Sequence, residues 1–89
     1  MFDTHAANII NNGTARQRRD LATTATGMVL GALAQDRVAF VRAAAARRVS
    51  SNRLAEMAKV ETSPSVLEII WGRGCDRHRE ILVDRGVLA

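Results

Sequence analysis

Residues 28–48 read MVLGALAQDRVAFVRAAAARR, and this stretch decides the fold. Leu30, Leu33 and Ala34 are spaced three and four apart, which places them on one face of a helix. Asp36 then breaks the apolar run. It is a good N-cap residue, and its negative charge suits the positive end of a following helix. Val41, Ala45 and Ala46 continue with the same spacing inside a run of four alanines, the strongest helix formers. The stretch therefore predicts two helices, 28–35 and 37–48, joined by a short polar turn.

Working outward, the same pattern returns every 24 residues. Ile9, Leu33, Met57 and Ile81 form one column; Ile10, Ala34, Ala58 and Leu82 form the next. Ala6, Leu30, Leu54 and His78 stand three positions earlier, and Asn12, Asp36, Val60 and Asp84 three later. The third copy carries one extra residue near Pro64, since Val41 matches Val66. The expected short helices are 4–11, 28–35, 52–59 and 77–83, and the expected longer ones are 15–26, 37–48 and 64–71. Thr14 and Gln17 have capping-box spacing. Ser50 and Ser51 can cap the helix carrying Leu54. Ser63 before Pro64 reads as an N-cap followed by proline at the first helical position, where a missing N–H is harmless.

A two-helix unit of 24 residues cannot bury its apolar face alone, whereas stacked copies share a continuous core. The expected architecture is all-α: a short right-handed α-solenoid-like stack of helical hairpins. It forms a single domain over 1–89, with units near 4–27, 28–51 and 52–76 and a truncated unit over 77–89. Composition agrees. Of 89 residues 47% are hydrophobic, but fifteen are alanine, and Phe2, Phe40 and Trp71 are the only aromatics. An all-β sandwich would need many more β-branched and aromatic residues. Phe40 and Trp71 are expected in the core, where large side chains are scarce; an exposed Trp71 would instead make an interface anchor. Val83, Val87 and Leu88 leave an apolar end that must fold back or meet another chain.

The run Leu33-Ala34-Gln35-Asp36, then Val41-Arg42 and residues 43–48, then Leu54-x-x-Met57-Ala58, resembles the leucine-rich repeat variant family, whose shape is related to HEAT-like α-solenoids. The middle copy fits best. The first copy has Gln17 where valine is usual; the third has Leu67 in place of arginine, with Trp71-Gly72 where smaller polar residues are usual. The resemblance implies a binding scaffold rather than a reaction. Some members of that family carry an N-terminal cysteine cluster for an iron–sulfur centre, and this chain has only Cys75.

Thirteen basic against nine acidic residues give a net charge of +4, and twelve of the thirteen are arginine. Arginine binds carboxylate and phosphate through a planar fork. The candidate partner-binding residues are Arg18, Arg42, Arg47, Arg48, Trp71, Arg73 and Arg77; the arginines recur through the units and would form a basic surface for an acidic protein or a phosphate backbone. Catalytic machinery is not expected. Cys75 and His78 have a C-x-x-H spacing, but a structural zinc site needs four ligands. The only other histidine is His5, and no orienting group accompanies the Cys–His pair. Gly72-Arg73-Gly74 lacks the lysine and glycine spacing of a phosphate loop. No metal and no cofactor are expected. A lone cysteine fits a reducing compartment, and no run approaches the length of a membrane span, so a cytoplasmic location without membrane attachment is expected.

The reading from these features is a small non-enzymatic protein–protein interaction module with a protein partner, self-association included. Size and Ala/Arg-rich composition also admit a phage or mobile-element protein acting on a host factor. The alternative is a helix-turn-helix DNA-binding protein using residues 52–72. Its turn over 61–63 is one residue too long, and its second helix offers Ser65 and Glu68 but no Arg, Asn or Gln to address base edges.

Overall fold

The structure is a computed structural model that describes residues 4–87. Seven helices follow one another, with no strand among the described residues. They are α1 (Thr4–Asn12), α2 (Ala15–Ala22), α3 (Gly27–Leu33), α4 (Ala39–Ala46), α5 (Ser51–Val60), α6 (Pro64–Gly72) and α7 (Asp76–Arg85). Phe2 and Leu88 lie outside the described residues.

The packing is set by the apolar stripes. α2 lies against α4 and α4 against α6, while α5 lies against α7. α3 touches α2 and α4, α1 leans on α2, and α6 contacts both α5 and α7. The molecule measures 41 × 20 × 16 Å, about twice as long as it is wide. Ala6, Leu30, Leu54 and His78 are all buried, as are Ala34, Ala58 and Leu82. Leu33 and Met57 are buried too, whereas Ile9 and Ile81, nearer the two ends, are half-buried.

Local chemistry explains where helices start and stop. Thr14 Oγ1 accepts the Gln17 N–H at 3.1 Å, and Gln17 Oε1 accepts the Thr14 N–H at 2.9 Å, so the capping box forms. Ser50 Oγ accepts the Arg53 N–H and caps α5. α7 ends on Gly86 at φ +73, a left-handed conformation that favours glycine. There the Val87 N–H reaches the Leu82 carbonyl and the Gly86 N–H the Val83 carbonyl. Val87 thereby folds back onto the core, while Val83 stays half exposed.

The structure corrects several expectations. Two of the helices expected to be long are short, α2 and α4 having eight residues each, whereas α6 with nine matches its expected 64–71 and α5 and α7 with ten exceed theirs. α2 stops at Ala22 because the Thr23 and Thr24 hydroxyls bond back to the Asp20 and Leu21 carbonyls. Asp36 is not the N-cap of α4; Val38 holds that position, and the Asp36 carboxylate accepts the Val38 N–H from two residues away. Ser63 holds the N-cap position of α6 with Pro64 next, as expected, but its side chain makes no cap; Glu61 Oε2 takes the Thr62 and Ser63 N–H groups instead. Phe40 is 48% exposed, on the outer side of α4, rather than in the core.

Candidate functional site

The arginines are held in two repeated arrangements. In the first, Arg18 on α2 points its Nε and Nη2 at Asp36, 2.6 and 3.2 Å away, and its Nη1 at the Gly13 carbonyl. Twenty-four residues on, Arg42 of α4 points its Nε and Nη2 at Glu61, 2.8 and 2.9 Å away, and its Nη1 at the Asp36 carbonyl. Both pairs are bidentate, the strongest form of such a contact. The side chains of the first pair are only 4% and 9% exposed. Burial pushes the Asp36 carboxyl up, but the hydrogen bond from Arg18, helped by the Val38 N–H, outweighs it and holds the group below its ordinary value. Glu61 follows the same pattern. Burial raises it, and the Arg42 hydrogen bond with the Ser63 and Thr62 N–H groups brings the net shift downward. Hydrogen bonding to these carboxylates raises both Arg18 and Arg42.

In the second arrangement a guanidinium fastens the loop after the neighbouring helix. Arg48 Nη1 donates to the Ala22 and Ala25 carbonyls. Arg73 Nη1 donates to the Ala46 and Val49 carbonyls, at 3.1 and 2.6 Å. A cation here also meets the negative end of the helix. Arg85 does a related job between α7 and the Ala58 carbonyl of α5.

The candidate residues thus fall into separate places. Arg18 is buried, and Arg42 is largely covered by its pair with Glu61. Arg47 is exposed and shares a shallow cavity with Glu68, Ile69, Gly72 and Arg73. Arg77 is exposed beside Asn52. Trp71 is half-buried against the edge of the core, with the Arg79 guanidinium 4.9 Å above its ring and the Arg79 Nε bonded to its carbonyl. α6 is packed along α4 and α7, and its exposed side chains are Pro64, Ser65 and Glu68.

Cys75 is half-buried at the N-cap of α7 and makes no side-chain cap. His78 is 2% exposed, with Nε2 2.9 Å from the Ser51 carbonyl. His78 Nδ1 has no hydrogen-bond partner among the described residues. No group of three potential metal-ligating side chains occurs among the described residues, and no helix among them is long and apolar enough to cross a membrane.

Three participants escaped the sequence reading. Glu61 takes the role of Asp36 although it is 25 residues on; the column had placed Val60 there. The extra residue therefore falls before Glu61, at the end of α5. Arg53 and Gly31 are the other two. α3 and α5 do not come together as α5 and α7 do. Between them run two cavities, of about 610 and 480 Å³, and Arg53 lines both. Its guanidinium lies against Gly31, where even a methyl group would come within 2.7 Å of it. Glycine inside a helix costs about 1 kcal/mol relative to alanine, and that unfavourable choice was the sequence signal for a close approach.

In comparisons with known proteins, no family model, no curated protein sequence and no solved structure matches this chain.

Proposed function

We propose that the chain is a small non-enzymatic protein–protein interaction module, built as a short right-handed α-solenoid-like stack of helical hairpins in the manner of the leucine-rich repeat variant and HEAT-like families. The observation that carries this reading is the doubled clamp: Arg18 with Asp36 and Gly13, then Arg42 with Glu61 and Asp36. The same three-point contact, made by α2 and again by α4, is what a repeated unit produces when each copy is fastened to the next. Such stacks expose faces of several parallel helices and serve as rigid binding surfaces. An acidic protein, met in the cytoplasm, is the partner that a net charge of +4 favours. A phage or mobile-element origin, with a host factor as the partner, is compatible with the size and composition.

The helix-turn-helix alternative ranks lower. Its reading helix would be α6, whose exposed side chains include no cation. The deciding experiment has two arms. Tagged protein is retrieved from its native cell, and the recovered partner is purified and mixed with it. A gel shift on genomic fragments at moderate salt runs alongside. A stable complex rebuilt from two purified proteins supports the proposal. No such complex, together with sequence-specific retention of DNA, would transfer the assignment to the alternative.

A further inference from the structure

We infer that the cleft between α3 and α5 is the docking groove of this module, that its occupant is an extended acidic segment of the partner protein, and that Arg53 is the charged anchor. This rests on the interaction-module reading and names its binding face.

The cleft exists because two neighbouring helices do not close on each other. α5 packs directly on α7, and Ala55 is completely buried there. Gly31 stands at the equivalent position of α3, and Arg53 of α5 reaches across to it in place of helix-to-helix packing. The two cavities follow one another along α5, whose ten residues span about 15 Å, with Arg53 lining both. An extended chain advances about 3.3 Å per residue, so roughly five residues fit. Leu30, Val49 and Met57 supply apolar lining, and Val60, 74% exposed, forms part of one wall.

Charge selects the occupant. At the end near Val60 the carboxylates are already matched: Asp36 by Arg18, Glu61 by Arg42 and Glu56 by Lys59. At the other end the lining includes Arg48 and Arg53 and no acidic side chain. Arg48 donates to neutral carbonyls, so its charge is not cancelled. Arg53 pairs with no carboxylate among the described residues. An exposed guanidinium over a partly apolar groove, with a second cation beside it, is complementary to an Asp or Glu side chain flanked by apolar residues.

The test selects a random dodecapeptide display library against the full chain and measures the enriched peptides, labelled, by fluorescence anisotropy. The variants are Arg53→Ala, Arg53→Lys and, as a control at an exposed arginine of α2 outside the groove, Arg16→Ala, each checked for unchanged helicity. The expected peptides are acidic, and their affinity falls as salt rises. Arg53→Ala should weaken them by about tenfold, Arg53→Lys should restore part of that, and Arg16→Ala should stay within about twofold. Enriched peptides that are not acidic, or that bind Arg53→Ala as well as the parent, overturn the groove assignment and leave the module reading standing. A selection that enriches nothing overturns both.

Discussion

The Arg73 guanidinium stands 2.6 Å from the Val49 carbonyl and 3.1 Å from that of Ala46, tying the end of α6 to the loop after α4. Arg48, from the end of α4, makes the same tie to the Ala22 and Ala25 carbonyls. A charged hydrogen bond contributes about 1.5–3 kcal/mol when sheltered, and exposure of the rest of the side chain reduces this. Arg73→Ala should therefore cost about 1 kcal/mol in urea unfolding. Arg73→Lys should recover part of the loss, because both bonds leave the single Nη1 nitrogen and an ammonium also carries more than one N–H donor. Equal stability of the alanine variant and the parent would contradict this role.

Acid should loosen the fold in a defined window. Asp36 and Glu61 are held below their ordinary values in the folded chain. Unfolded, they titrate near 3.9 and 4.3. As pH falls, the unfolded chain takes up these protons first, so the contribution is complete above about pH 5 and is lost as pH drops through the folded values. Arg18 and Arg42 stay charged throughout. Urea midpoints measured from pH 7 to pH 3 should decline below pH 5. A Glu61→Gln variant should begin less stable and decline less steeply; a parallel decline would show that Glu61 is not part of the effect.

Much of the fold was legible in the residues, and the reasons are local. Thr14 with Gln17 is a cap contained within four consecutive residues, so tertiary context does not alter it. The buried columns through Leu30, Leu54 and Ala58 follow from helical spacing. The site was less legible because arginine has one sequence signature for two fates. Arg18 and Arg47 look alike in the chain, yet one is buried against Asp36 and the other faces solvent. Only the position of a distant carboxylate distinguishes them. Glu61 was hidden by the single extra residue at the end of α5, and Phe40 by the assumption that a scarce aromatic must be inside.

Burial separates Leu54 from Val60, two apolar residues of the same helix. Leu54 is fully buried and Val60 is 74% exposed. Leu54→Ala should lower stability by about 2–5 kcal/mol through lost packing and the cavity left behind. Val60→Ser should change it by no more than about 0.5 kcal/mol. Similar effects at both positions, measured by thermal and urea unfolding, would place α5 differently.

His78 occupies the column of Leu30 and Leu54, with Nδ1 lacking a hydrogen-bond partner. The Ser51 carbonyl that its Nε2 meets also lies in the first turn of α5, where carbonyls are already used along the helix. His78→Leu removes the orphaned nitrogen and keeps the volume close. It should leave stability unchanged or raise it by up to about 1 kcal/mol. A loss larger than that would mean the imidazole is doing more between α5 and α7 than filling space.

The most direct measurement is a pair of double-mutant cycles, one on Arg18 and Asp36 and one on Arg42 and Glu61, read by urea unfolding. If successive units are fastened by one recurring clamp, both cycles will return a favourable coupling of at least about 1 kcal/mol, agreeing within about 0.5 kcal/mol. A coupling near zero in either cycle would contradict it.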